Sequence, residues 1–149
     1  MTQEEKSLLL QDLCSRLPYG VICSIYRIDD WNVGWRDEKL TGYFYDGNSF
    51  EFYFGKTPIS IDNDISKIKP YLRPLSSMTE EEKEELKEIS NDYLDEWENA
   101  KTPIERLKLD AKVSYKRAVF YNSHHLDWND LTSKGLAIEV TEENNPYKE

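Results

Sequence analysis

The sequence predicts an α+β fold, a small antiparallel sheet of three to four strands covered by an N-terminal helix and a C-terminal helical hairpin. Three observations carry this. Eleven of the 19 aromatic residues lie between Tyr19 and Phe54, where cross-strand pairing accounts for such enrichment. Three other stretches open with a hydroxyl N-cap and continue with apolar residues at helical spacing. A sheet of this size needs helical cover to be stable. With 149 residues, the chain suits one domain over 1–149, because each half alone would approach the lower limit for an independent core.

The first helix is expected over 2–17. Thr2-Gln3-Glu4-Glu5 has capping-box form, and Leu9, Leu10, Leu13, Cys14 and Leu17 fall on one face. Pro18 ends it, and Gly20 permits the turn. The sheet is expected over 20–62. Val21 to Ile28 is apolar on both sides, which reads as a central or covered strand. Asp29-Asp30 breaks it. Leu40 to Tyr45, Phe50 to Phe54 and Ile59 to Ile61 follow, separated by Asp46-Gly47-Asn48 and Gly55-Lys56-Thr57-Pro58. Residues 63–78 read as a connector, because Pro70 and Pro74 preclude a long helix. Ile65, Ile68, Tyr71, Leu72 and Leu75 would pin it to the core.

The hairpin is expected over 79–122. Thr79 to Glu82 forms a second capping box, and Leu86, Ile89, Tyr93 and Trp97 make the apolar stripe. Thr102-Pro103-Ile104-Glu105 starts the second helix with a hydroxyl N-cap, Pro at N1 and Glu at N3. Its stripe reads Ile104, Leu107, Ala111, Tyr115 and Ala118, widened by Leu109, Val113 and Phe120, so this helix should be the more buried one. Residues 79–101 carry a net −7 and residues 103–122 a net +3, so antiparallel packing brings opposite charges alongside. Residues 123–149 are expected to hold a short helix from Asp127 to Gly135, an edge strand within Leu136 to Val140, and an acidic tail that frays.

The whole chain carries a net charge of −10. That disfavours direct binding to nucleic acid or anionic membrane, which require clustered Lys and Arg. Apolar runs stop at three or four residues against the ~20 of a membrane span, and no signal segment opens the chain. A cytoplasmic location is therefore expected. Cys14 and Cys23 read as small core residues rather than a disulfide.

His124-His125 with Asp127 falls short of a ligand set, since adjacent side chains point apart, and one His is expected against Trp128. Asp62-Asn63-Asp64 opens like a calcium loop, but Lys67 and Arg73 stand where Gly and Glu are needed; a turn accounts for it. Asp29, Asp30 and Glu51 beside aromatics suggest a glycosidase only if two acids share a fixed separation. Cys14 and Cys23 lie in core patterns rather than beside a base. Trp31, Trp35, Tyr43, Tyr45 and Tyr53 near Arg27, Arg36 and Lys39 suggest a stacking platform, yet residues 1–78 are nearly balanced in charge. No catalytic residue, metal or cofactor is assigned.

Arg16-Leu17-Pro18-Tyr19-Gly20-Val21, then Ile68 through Glu82, then His124 to Trp128 and Lys134 to Ala137 together resemble a family of small uncharacterised proteins of gut Bacteroidales, often in prophage or mobile-element settings. Related chains show a His-Phe-Asp-Tyr-Arg-Gly-Leu-Ile type motif near the end. Here His125-Leu126-Asp127-Trp128-Asn129-Asp130-Leu131-Thr132 stands in its place, with Asn-Asp for Arg-Gly. The resemblance spans the start, middle and end of the chain but not the central strands. It implies a short cytoplasmic accessory protein and no particular activity.

The acidic helix is the feature least needed for folding. Glu81, Glu84, Glu85, Glu88, Asp92, Asp95 and Glu96, with the aromatics Trp31 and Trp35, form the expected surface for a basic protein partner. Two alternatives are an acidic DNA mimic that inhibits a nucleic-acid-binding protein, and a small enzyme working through carboxylates.

Overall fold

A computed structural model describes residues 1–28, 30–61 and 65–148. Asp29, Asp62, Asn63, Asp64 and Glu149 lie outside the described residues, and with them the turn read at 62–64 and part of the Asp29-Asp30 break. The elements, in order, are α1 (Gln3–Arg16), β1 (Ile22–Ile28), β2 (Val33–Tyr45), β3 (Phe50–Phe54), β4 (Thr57–Ser60), β5 (Ile68–Leu72), α2 (Glu80–Asn99), α3 (Pro103–Ser123) and β6 (Ile138–Glu139). The α+β class holds, but the sheet differs from expectation. It has six strands in the order β4-β3-β2-β1-β5-β6, not three to four, and it is mixed, because β5 and β6 run parallel.

The helix starts match their sequence signals. Thr2 and Thr79 both close capping boxes, with Glu5 and Glu82, and Thr102 Oγ1 accepts the Glu105 N–H at 3.2 Å. Gly20 takes φ +66°, where a Cβ would run into the Lys39 side chain. Glycine therefore reconciles the end of α1's turn with the entry into β1.

β1 is central, between β2 and β5. β2 begins at Val33, not Leu40, and runs 13 residues. Its first half pairs with β1 and its second with β3, across a register shift between Leu40 and Gly42. That bulge at Thr41 exchanges the faces. Before it, Trp35 lies opposite Tyr26 on the side away from the core; after it, Tyr43 and Tyr45 lie opposite Phe52 and Phe50 on the core side. The connector contains a strand, β5, despite Pro70. β6 pairs only with Tyr71 and Leu72, so Pro70 meets β1 on one side and has an open side on the other, where a missing N–H is tolerated.

One face of the sheet carries the core. Leu9 and Leu13 of α1 pack with Cys23, Ile25, Leu40, Phe52, Phe54, Ile68 and Leu72 from the strands, and with Leu131, Leu136 and Ala137 from the loop before β6. No residue of α2 or α3 belongs to this cluster. The hairpin therefore does not cover the sheet, contrary to the sequence reading. It stands away from the body and joins it at its base.

That base is polar. Arg73, just past β5, donates from Nη1 and Nη2 to the Glu82 carboxylate at 2.9 Å each, and also to the carbonyls of His124 and Ser77. Its backbone N–H donates to the His125 carbonyl, and its carbonyl accepts from Asp127 N, both at 2.8 Å. Beneath lies a buried ion pair within α1. Arg16 Nε donates to Asp12 Oδ2 at 2.7 Å, with both side chains fully buried, and Arg16 Nη2 reaches the Leu126 carbonyl at 2.9 Å. Asn129 Nδ2 donates to the other Asp12 oxygen at 2.9 Å.

After α3 there is no helix from Asp127. The Asp127 carboxylate instead accepts from Leu131 N, Thr132 N and Thr132 Oγ1, closing a turn. Nor is the tail loose over its described residues. Tyr147 Oη accepts the Ile22 N–H at 3.1 Å and donates to the Tyr71 carbonyl at 2.8 Å, and its ring stacks on His125 at 4.1 Å. Among the described residues, no helix is long and apolar enough to cross a membrane.

Candidate interaction surface

The hairpin is built from two amphipathic helices. On α2, Leu86, Ile89, Tyr93 and Trp97 are half-buried, as the sequence spacing predicts. α3 answers with Leu109, Val113 and Phe120, not with the expected principal stripe. Ile104, Leu107 and Tyr115 are 66, 67 and 71% exposed. The two apolar arcs of α3 point opposite ways, and the narrower one is buried.

Polar contacts fix the pairing of the helices. Tyr93 Oη donates to Asp110, Arg117 Nη2 donates to Ser90 Oγ at 3.0 Å, and the Arg106 guanidinium sits 5.2 Å from the Trp97 ring centre. The Tyr93 hydroxyl pKa is raised, chiefly by its hydrogen bond to Asp110. Among the described residues no ion pair crosses between α2 and α3. The opposite charges of the two helices face one another without closing into contacts.

The acidic face is continuous. At 100° per residue, Glu81, Glu84, Glu85, Glu88, Asp92, Asp95 and Glu96 span an arc of about 120° on α2. All seven are exposed. Glu85 alone of the seven makes an ion-pair contact among the described residues, 3.3 Å from His124 Nε2. His124 Nδ1 is 3.4 Å from Glu82. Glu82 belongs to the base of the hairpin, where the Arg73 hydrogen bonds hold its carboxyl below the usual range.

Trp31 and Trp35 do not join this face. Trp31 sits at the β1–β2 turn, 91% exposed, and Trp35 on β2 packs edge-on against Tyr26 at 5.5 Å with Lys69 above it. The sequence placed them with the acids as one surface; the structure puts them on separate elements. The stacking platform is likewise divided by the bulge, since Tyr43 stacks on Phe50 at 5.3 Å on the core side while Tyr53 approaches Glu51 on the other.

The two histidines do point apart. His124 faces α2 and packs on Phe120 at 4.7 Å, while His125 stacks on Tyr147. Neither packs on Trp128 in the expected way. That ring stacks on Tyr121 and donates from Nε1 to Asn122 at 2.9 Å. His125 Nδ1 and Arg16 Nη1 are buried without a hydrogen-bond partner among the described residues. Burial, and then the charge of Arg16, lower the His125 pKa to about 4. Cys23 is in the core, as read, but Cys14 is on the exposed side of α1. Enough protein surrounds the Cys14 thiol to push its pKa up.

Because the sheet curls, β4 approaches the end of β1. The cleft between them holds about 470 Å³ and is lined by Tyr26, Arg27, Ile28, Thr57 to Ser60 and Lys67. Arg27 is paired with Glu38 at 2.9 Å. Sequence reasoning missed this cleft, because its residues come together only through the curl. Among the described residues, no three His, Cys, Asp or Glu side chains group as metal ligands. Comparison with protein-family models, with curated proteins and with solved structures returned no match.

Proposed function

We propose that the chain is a non-enzymatic interaction protein whose acidic α2 face docks a basic protein partner. The observation that carries this is a projecting helix with seven exposed carboxylates on one side, six of them without an ion-pair partner among the described residues. Such a face speeds encounter with a basic surface, and salt weakens the complex. A role as a cytoplasmic accessory protein of a phage or mobile element fits the resemblance noted in the sequence.

A second reading, mimicry of nucleic acid, has one observation behind it. Seven charges over about 22 Å of helix average one per ~3–4 Å, in uneven steps of ~1.5 to ~6 Å, against the ~3.4 Å per phosphate of one DNA strand. On this reading the basic partner is itself a nucleic-acid-binding protein.

The test is capture on immobilised protein at low salt, followed by affinity measurement with the partner so identified. Replacing Glu84, Glu88, Asp92 and Asp95 by their amides should weaken binding at least ~10-fold, and salt should do the same. Equal binding by the amide variant, or no partner retained at low salt, would refute the proposal. Release of the partner by duplex DNA would select the second reading.

A further inference from the structure

We propose that the outer face of α3 is a self-association seam, on which two copies pack α3 against α3, antiparallel, about a two-fold axis at Ala111. The face is unpartnered, since Ile104, Leu107 and Tyr115 are each about two-thirds exposed and lie on the side of α3 turned away from α2. What selects a second copy as the occupant is the symmetry of the stripe itself. Leu107 and Tyr115 stand four residues before and after Ala111, and Ile104 and Ala118 stand seven before and after.

A helix packed antiparallel on its own copy through a two-fold axis meets its sequence reversed. Ala111 then faces Ala111 of the second copy, Leu107 faces Tyr115, and Ile104 faces Ala118. The four- and seven-residue steps are those of a helix–helix seam. The smallest residue falls at the crossing point, where backbones approach most closely, and large side chains flank it. Ile104 meets the small, half-buried Ala118, so bulk in the seam is concentrated where Leu107 faces Tyr115.

The three large exposed side chains offer about 400 Å² per copy, or ~800 Å² for the pair, below the ~1,200 Å² of a standard interface. The dimer is therefore weak and concentration-dependent. Its salt dependence is also fixed. Lys108 and Lys112 border the stripe on one side and make no ion pair among the described residues. The two-fold axis brings both pairs to the same edge, and each chain carries −10 overall. Salt screens both repulsions, so added salt tightens the dimer. This is opposite to the salt response of the acidic face, so the two proposals stand or fall separately.

The test is sedimentation equilibrium of the full chain from about 1 µM to about 1 mM, at about 50 and about 500 mM salt. The mass should rise from 17.6 kDa toward twice that value, at lower concentration in the higher salt. Leu107→Glu should remain monomeric. Disulfide trapping keeps the proposal testable if that variant folds poorly. In a Cys14→Ser background, Ala111→Cys should crosslink on oxidation at least ~10-fold faster than Asn91→Cys on the outer side of α2. A monomer throughout, a dimer unaffected by Leu107→Glu, or equal crosslinking at 91 and 111 would each overturn it.

Discussion

Lowering the pH from 7 to 4 should weaken the fold through His125. This residue holds φ +57° and stacks its ring on Tyr147, whose hydroxyl bridges the Ile22 N–H and the Tyr71 carbonyl. The charges that bear on it come from every side: Arg16 from α1, Arg73 from the end of β5, His124 beside it and Lys39 from β2, all of which disfavour protonation. Its pKa falls from 6.5 to about 4 in the folded protein. Between those values the unfolded chain binds the proton and the folded chain does not. Stability therefore declines as pH falls from about 6.5 to about 4, and this contribution levels off below. A shift of that size corresponds to ~3 kcal/mol, and the ring's partial solvent contact brings it to about 2–3 kcal/mol. Urea unfolding at a series of pH values measures it. His125→Asn is the control, because Asn tolerates positive φ and does not titrate. That variant should be less stable at pH 7 by about 1 kcal/mol for the lost stack, but flatter across the window. Parallel pH curves for the two proteins, or an NMR-titrated His125 pKa at or above 6, would refute the reasoning.

The junction at Arg73 makes a second prediction. Arg73→Ala removes the fork on Glu82 and two carbonyl contacts, and should cost about 2–4 kcal/mol in urea unfolding. Glu82→Gln should cost about 1–2 kcal/mol. Because the Glu82 pKa is depressed in the folded state, that cost should appear above the unfolded carboxylate range and shrink as pH falls through the folded value. An Arg73→Ala variant as stable as the parent would disprove the anchoring role. Thiol labelling separates the cysteines: Cys14 should react slowly in the folded protein, and Cys23, with its thiol pushed far up by burial, only with denaturant. Labelling of Cys23 first would contradict its placement.

The starts of α1, α2 and α3 were legible in the sequence because their signals are local, whereas the same kind of signal at Asp127 closes only a turn. Thr2, Thr79 and Thr102 each complete a cap with a residue three positions on. What was not legible depends on contacts distant in sequence. α3 carries two apolar arcs, and only the packing of α2 decides that Leu109, Val113 and Phe120 are buried while Ile104, Leu107 and Tyr115 are not. Val33 to Lys39 reads as polar chain, because Asp37 and Lys39 face the open side of the sheet while Arg36 and Glu38 take the other. The bulge at Thr41 leaves no residue signature, yet it separates Trp35 from Tyr43 and Tyr45. The tail is mostly polar, and Tyr147, through its ring and hydroxyl, docks it on the body. Asp130 takes φ +56°, a left-handed conformation that Asp tolerates better than most residues.

The acidic face of α2 works against the helix that bears it. Glu81 and Glu85, Glu84 and Glu88, Glu88 and Asp92, and Asp92 and Glu96 are like charges four residues apart, each costing about 0.2–0.5 kcal/mol. Asp95, Glu96 and Glu98 stand at the negative end of the helix dipole, and the last turn holds no basic residue to offset them. Within the described fold the offset is small, because Glu85 alone of the seven meets a partner, His124, α3 closes no ion pair with α2, and the core cluster draws on neither helix. Neutralising the face should thus leave the body folded and the hairpin no weaker. A local arrangement that costs stability, and is little offset among the described residues, is what a use outside the chain would leave behind. On the function proposed above, that use is the docking of a basic partner.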